Sequence, residues 1–215
     1  MLTPLAILFA IVGGAWGLVA DRIAVRWPEH DDEELPGGRG VGWRTGVTVV
    51  IGAAGLGAVP VRFGEPLQIA IFGAYVVALT LLLSTDLDQR LLPNEVTLPA
   101  IPIALVLVLT GLNPMVPQNA LPATAAIALA VPLVLALIAI PFGAGAIGRG
   151  DLKLLVSVGL MAGGWRLIVG LIDGGLLAGV VIVVLLVARR ITLHSFIPYG
   201  PFLIIGAFWA LLGPG

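Results

Sequence analysis

The sequence predicts an all-α, polytopic transmembrane helical bundle, and three observations lead to that class: the composition, the apolar runs and the placement of basic residues. Hydrophobic residues make up 59% of the 215 positions and charged residues only 11%, and mean hydropathy is +1.11. Soluble domains carry about a quarter charged residues, so this chain cannot cover an aqueous surface. A lipid bilayer is therefore the expected environment.

The apolar runs supply about eight spans, since a helical crossing needs about 20 apolar residues. Four runs meet or approach that length and three shorter ones are plausible: Leu2–Ala20, Leu67–Thr85, Ala120–Phe142 and Trp165–Val187, then Thr45–Pro60, Thr97–Leu112 and Phe196–Gly213. The remaining segment, Leu152–Gly163, rises only about 18 Å as a helix. It either crosses as a short eighth span or is re-entrant, which leaves seven.

Basic residues orient the bundle. With eight spans and the N-terminus outside, the outer loops hold only Arg62 and Arg166. The cytoplasmic loops hold all the others: Arg22, Arg26, Arg39, Arg44, Arg90, Arg149, Lys153, Arg189 and Arg190. This positive-inside bias favours eight spans over seven. We predict one membrane-embedded domain over residues 1–215, with a short acidic cytoplasmic loop at about 21–44.

The composition also excludes several kinds of chemistry. The chain has no cysteine, which excludes disulfides, thiol nucleophiles and thiolate metal sites. Its two histidines, His30 and His194, are far apart in sequence, so a histidine metal site or a Ser–His relay is poorly supplied. With a net charge of −1 and no basic patch, nucleic acid is not an expected partner. Carboxylates remain as the main catalytic candidates.

Two segments place carboxylates at one membrane face. Asp86 and Asp88 lie where the third span meets the cytoplasm, and Asp151 lies at the matching level before Leu152–Gly163. Two close carboxylates cannot both ionise, so one accepts a proton from water while the other donates one, as an aspartic protease requires. A single acid at a helix end is more often a cap or an interfacial charge than a catalyst. We interpret Asp88 and Glu95 as loop charges or as modulators of the pKa of nearby groups.

The residues that flank these acids suggest supporting roles. Gly148 and Gly150 are predicted to adopt backbone conformations closed to other residues and to let a substrate strand approach. Pro93 and Pro99 bracket Asn94–Leu98 and are predicted to break the helix there. Lys153 either favours an ionised carboxylate nearby or faces the lipid headgroups.

Three segments together resemble the bacterial type IV prepilin peptidases, which are Gly-x-Gly-Asp intramembrane aspartic peptidases. They are TDLDQRLLPN at 85–94, GRGDLKL at 148–154 and IPYGPFL at 197–203. The resemblance implies that Asp86 and Asp151 are catalytic. It also implies removal of a short basic leader from prepilin-like or pseudopilin substrates with an N-terminal transmembrane helix. The site would face the cytoplasm in the bacterial inner membrane and would need neither metal nor organic cofactor.

The N-terminal segment is a partial match to the same family. Residues 17–28 are similar to its opening motif, with Asp21 where asparagine is usual. The longer members carry a cytoplasmic loop with paired Cys-x-x-Cys motifs and also methylate the cleaved pilin. Because this chain has a short loop without cysteine, it looks like a short form in which N-methyltransferase activity is not expected.

Several residues keep alternative interpretations. Five loop acids either form a solvated loop or weakly attract the basic leader: Glu29, Asp31, Asp32, Glu33 and Glu34. Asp173 lies inside a span, where acids are costly, and we expect a packing or hydrogen-bonding role. The rival functions are a proton-coupled transporter and a non-catalytic membrane assembly subunit. Transporters place coupling sites near the midplane between repeated halves, whereas these acids lie at one face and no repeat is visible.

Overall fold

A computed structural model describes residues 3–27, 40–143, 147–192 and 199–214. These ranges contain eight α-helices: α1 (Pro4–Ala24), α2 (Trp43–Arg62), α3 (Pro66–Gln89), α4 (Asn94–Leu109), α5 (Leu121–Ala139), α6 (Arg149–Ala162), α7 (Gly164–Val187) and α8 (Gly200–Leu212). Short 3₁₀ turns at Gln118–Ala120 and Ile140–Phe142 flank α5. No β-strand occurs within the described ranges. The all-α prediction is confirmed.

Five of the helical segments are long and apolar enough to cross a membrane: α1, α2, α3, Gln118–Ala139 and α7. Two further apolar helices, α4 and α8, are shorter. Large apolar side chains point outward on these helices, such as Ile11 (66% exposed) and Leu176 (63% exposed). Such surfaces are stable against lipid rather than water, so the protein is an integral membrane protein. The number of membrane crossings, eight, and the placement of the basic loops on the cytoplasmic side stay predictions.

Helix α6 differs from the candidate spans. Its 14 residues rise about 21 Å, which is less than the thickness of a bilayer core. Between Leu154 and Ala162, all but one of its residues are buried. This short helix therefore packs inside the protein, whether it crosses or is re-entrant.

The chain forms two compact units, which divide α4 after Pro99. The first contains α1, α2 and α3, with Phe72, Leu79 and Leu83 fully buried. Helices α1 and α2 approach so closely that a Cβ atom at Gly13 would overlap the carbonyl of Gly52. Small residues at such crossings let helix backbones pack directly in a membrane.

The second unit contains α5, α6, α7 and α8. Its buried side chains include Leu154, Met161 and Ile204. Helices α7 and α8 cross at Gly170 and Gly206. A Cβ atom added to either glycine would overlap the backbone carbonyl of the other. That the units act as one domain over 1–215 stays a prediction.

The prediction that Pro93 and Pro99 both break the helix is wrong for Pro99. Pro93 does separate α3 from α4, but Asn94–Leu98 are helical and α4 continues through Pro99. A proline inside a helix removes one backbone hydrogen bond, and in membrane helices neighbouring groups satisfy the freed carbonyl. The irregular backbone beside the first acid pair is therefore confined to residues 90–93.

Candidate active site

Asp86 lies in the last turn of α3, on a buried polar stretch. Thr80, Ser84 and Thr85 are almost fully buried, and Asp86 itself is 5% exposed. Its backbone carbonyl accepts the N–H of Arg90 at 3.0 Å. Arg90 has a left-handed backbone (φ 57°) that ends the helix. The Asp86 carboxylate is therefore buried one turn before α3 ends.

Two side chains tie this last turn to neighbouring helices. The Arg44 guanidinium, in the first turn of α2, forms an ion pair with Asp88 at 2.5 Å. The Gln89 amide donates to the carbonyl of Ala24 (2.6 Å), the last residue of α1, and to that of Trp27 (3.3 Å), just beyond it. The partners in these ties are 44 to 65 positions apart, so the sequence analysis missed them. Asp88 is a paired charge rather than a free loop charge.

A third tie joins α1 to α2. The Thr45 hydroxyl donates to the Asp21 carboxylate at 2.8 Å, and both residues are 1% exposed. Thr45 Oγ1 also accepts the N–H of Gly42, which caps the start of α2. In the sequence, Asp21 is unusual only as an acid where asparagine is usual in the motif. The structure shows a buried carboxylate that links two helices.

Asp151 occupies the opposite kind of position, in the first turn of α6. Its carboxylate accepts the backbone N–H of Gly148 at 3.2 Å, which is a capping interaction at the helix start. The side chain is half-buried and lies outside the five candidate spans. Burial raises the pKa of Asp151 above its ordinary value, and the Gly148 hydrogen bond lowers it by a smaller amount. The group therefore keeps its proton to higher pH than an exposed aspartate.

The predicted special conformation of Gly148 and Gly150 is wrong. Gly148 has φ −66° and ψ 140°, which other residues adopt freely. Gly150 lies within α6. The role of Gly148 is spatial, because a Cβ atom there would lie 3.0 Å from the Asp151 Oδ2 atom. Close approach of a substrate to either glycine stays a prediction.

Pro93 and Lys153 occupy defined places beside the acids. Pro93 is buried, and its carbonyl accepts the N–H of Thr97 at 3.0 Å as α4 begins. Lys153 is half-buried on α6. Residues two apart on a helix do not face each other, so Lys153 and Asp151 lie on different faces of α6. A supporting role for Lys153 stays a prediction.

The other predicted residues are less informative. Asp173 is half-buried within α7, and its packing or hydrogen-bonding role stays a prediction. The acids Glu29, Asp31, Asp32, Glu33 and Glu34, and part of the third motif at 197–203, lie outside the described residues. Among the residues that the structure does describe, no cluster of three His, Cys, Asp or Glu side chains could hold a metal ion.

Residues 73–188 match the type IV leader peptidase family. The matched segment is more than half of the chain and includes both Asp86 and Asp151. The chain belongs to the type IV leader peptidase family. A relative within the curated proteins, a prepilin leader peptidase/N-methyltransferase of Pseudomonas putida, is 30% identical over 152 residues, which are 70% of this chain and 52% of the relative.

This type IV leader peptidase family member thus spans about half the length of that curated relative. No solved structure matches the chain. The family assignment confirms the resemblance predicted from the three motifs, whereas the roles of individual residues within the site stay predictions.

Proposed function

We propose that this protein is an aspartic endopeptidase that removes a short basic leader from type IV prepilin-like substrates, with Asp86 and Asp151 as its catalytic pair. One observation carries the proposal. The two acids that the motifs single out both lie within the segment that matches the leader peptidase family. Each also lies in a terminal turn of its helix, Asp86 at the end of α3 and Asp151 at the start of α6.

The proposed reaction needs one ionised and one protonated carboxyl group. The ionised group takes a proton from water as the water oxygen attacks the scissile carbonyl carbon. The protonated group donates its proton to the carbonyl oxygen, and the C–N bond of the tetrahedral intermediate then breaks as the amine leaves with a proton. The raised pKa of Asp151 is compatible with the role of proton donor, which would leave the role of base to Asp86. The pH dependence of kcat in Gly148 variants tests which role Asp151 has.

The proposed place of cleavage is the cytoplasmic boundary of the bacterial inner membrane. A prepilin presents a basic leader in the cytoplasm that is followed at once by an apolar helix. Under the predicted orientation, the end of α3 and the start of α6 both lie at that boundary. An integral membrane enzyme with its catalytic groups at that boundary would be suited to such a substrate.

Co-expression with a candidate prepilin tests the proposal. We expect the intact mass of the pilin to fall by the mass of its leader, and the Asp86→Asn and Asp151→Asn variants to leave the pilin uncut. A proton-coupled transporter or a non-catalytic assembly subunit would leave every pilin uncut. Cleavage that persists in either aspartate variant would contradict the catalytic pair.

We further propose that the protein cleaves without methylating. The relative is named as a peptidase and N-methyltransferase, whereas in this chain only the short acidic segment at about 21–44 separates the first two predicted spans. The chain has no cysteine, and five acids within 29–34 leave that part of the loop little apolar surface to bury. The same mass measurement, with S-adenosylmethionine supplied, decides the matter. A cleaved pilin heavier by one methyl group would overturn this part of the proposal.

A further inference from the structure

Three side-chain ties close a triangle between the helices at one end of the first unit. The Asp21–Thr45 bond joins α1 to α2, and the Arg44–Asp88 ion pair joins α2 to α3. The third tie runs from Gln89 on α3 to the carbonyl of Ala24 on α1. We call this set, with the additional Gln89–Trp27 bond, the polar triangle. Each of α1, α2 and α3 is therefore joined to the other two.

Two sides of the polar triangle meet at the turn that carries Asp86. Asp88 and Gln89 follow Asp86 by two and three positions, and residues two apart leave a helix on nearly opposite sides. Arg44 therefore holds the turn from a side that Asp86 does not occupy. A terminal helical turn frays unless it is anchored, and two anchors within three residues restrict such motion. The triangle can fix the Asp86 backbone without using its carboxylate.

The Arg44–Asp88 pair is suited to anchoring because water is partly excluded from it. The Asp88 side chain is 11% exposed and that of Arg44 is 35% exposed. A partly buried ion pair is screened less than a surface pair, and removing one partner leaves the other charge poorly solvated. The guanidinium geometry also fixes direction better than an ammonium group. Movement of Asp88 away from Arg44 is therefore unfavourable.

We infer that Arg44 and Gln89 are positioning residues for the reaction, which hold the last turn of α3 so that Asp86 keeps its catalytic geometry. This inference rests on the proposed function of Asp86. Displacing a catalytic group by about 1 Å can lower a rate about a hundredfold. Loss of a positioning residue acts on the chemical step, so kcat falls while KM changes little.

The test measures cleavage kinetics of purified variants on a synthetic peptide that contains a basic leader and the start of an apolar helix. We expect Arg44→Gln to lower kcat by about ten- to a hundredfold, with KM within about twofold of the parent. Arg44→Lys keeps the charge and should recover part of the loss. Gln89→Met, which keeps side-chain length without the amide, should lower kcat by about three- to tenfold.

A double variant shows whether Arg44 acts through Asp88. If the pair acts as a unit, Arg44→Gln combined with Asp88→Asn should lower kcat about as much as Arg44→Gln alone. Arg62→Gln is the matched control, since Arg62 lies in the last turn of the same helix and is exposed. It should leave kcat unchanged. Independent, multiplying effects of the two substitutions would overturn the inference.

Two other outcomes are decisive. A raised KM with unchanged kcat would mean that Arg44 or Gln89 binds substrate, and full activity in both Arg44→Gln and Gln89→Met would mean that neither positions anything. If Arg44→Gln does not accumulate in the membrane, Gln89→Met alone decides. The Asp86→Asn variant distinguishes failure of the proposed function from failure of this inference. If Asp86→Asn is active, the catalytic assignment of Asp86 is refuted. If Asp86→Asn is inactive but Arg44→Gln and Gln89→Met are fully active, only the positioning role is refuted.

Discussion

The two proposed catalytic aspartates are held in contrasting ways. Asp86 ends a long apolar helix, is almost fully buried, and lies beside ties that reach α1 and α2. Asp151 begins a short helix, is half-buried, and is capped by the N–H of Gly148 three residues earlier in the same chain segment. The first acid is placed by tertiary structure and the second by local backbone.

This contrast decides where substitutions act. Around Asp86, residues distant in sequence control the geometry, because the polar triangle draws on three helices. Around Asp151, the neighbouring residue Gly148 both donates a hydrogen bond and leaves the space that the carboxylate fills.

The largest effect should follow loss of either aspartate. We expect Asp86→Asn and Asp151→Asn each to lower kcat by at least about a thousandfold, because a pair that needs both protonation states cannot work with one carboxyl group. The proteins should still reach the membrane. Asp88→Asn should be much milder, since it weakens an anchor and removes no catalytic group. Peptide cleavage rates measure all three, and an equal loss in Asp88→Asn would show that the wrong acid was chosen.

A stability effect should distinguish tertiary from local placement. Thr45→Val removes the hydroxyl donor to buried Asp21 and should cost about 2 kcal/mol. For a chain of this size, that cost lowers the unfolding temperature in detergent by about 4–8 °C. Thr48→Val is the matched control. Thr48 is equally buried on α2, but its hydroxyl donates to carbonyls of its own helix at Arg44 and Thr45.

Thr48→Val should therefore change the unfolding temperature by less than half as much. Equal losses in the two variants would mean that the Asp21–Thr45 tie adds nothing beyond a buried hydroxyl. The triangle would then lose its α1–α2 side, and the contrast between the two acids would weaken.

Sequence reasoning predicted most of the fold because a bilayer imposes a simple rule. Within the described residues, each apolar run contains a helix, and even the short segment Leu152–Gly163 falls within α6 apart from its last residue. Pro93 was correctly expected to separate two helices. Pro99 was also expected to break the helix, but α4 continues through it. One lost backbone hydrogen bond does not end a helix whose other backbone groups are satisfied.

The catalytic candidates could be predicted from the sequence, but the ion pair and hydrogen bonds that hold the helix turn of Asp86 could not. Asp86 and Asp151 belong to short contiguous motifs, which one sequence displays fully. The Arg44–Asp88 and Gln89–Ala24 ties depend on the register between helices that are far apart in sequence. No spacing rule in a single chain gives that register. Asp21 was visible as an unusual acid, but its partner Thr45 was not.

A smaller effect concerns the acids that lie outside the described residues. If Glu29, Asp31, Asp32, Glu33 and Glu34 attract the basic leader, changing all five to amides should raise KM by about two- to fivefold at low ionic strength. The effect should shrink at high salt as the charges are screened. Peptide kinetics at two salt concentrations measure this. An unchanged KM at low salt would make the run an ordinary solvated loop and leave substrate attraction to other residues.

The smallest effect tests the local placement of Asp151. The N–H of Gly148 stabilises the Asp151 carboxylate and so lowers its pKa, against the larger upward effect of burial. Gly148→Pro removes that N–H at a residue whose φ of −66° suits proline. The pKa of Asp151 should then rise further. If Asp151 is the proton donor, activity falls as pH rises through this pKa, so the alkaline limb of kcat should move to higher pH.

Gly148→Ala is the matched control, because it adds the same crowding Cβ atom but keeps the N–H. The alkaline limb of Gly148→Pro should therefore lie above that of Gly148→Ala. If the acidic limb moves instead, Asp151 is the base, because a base must be ionised and becomes active only above its pKa. If both limbs of the pH profile are the same in Gly148→Pro and Gly148→Ala, the Gly148 hydrogen bond does not control the pKa of Asp151. Local placement of the second acid is then refuted.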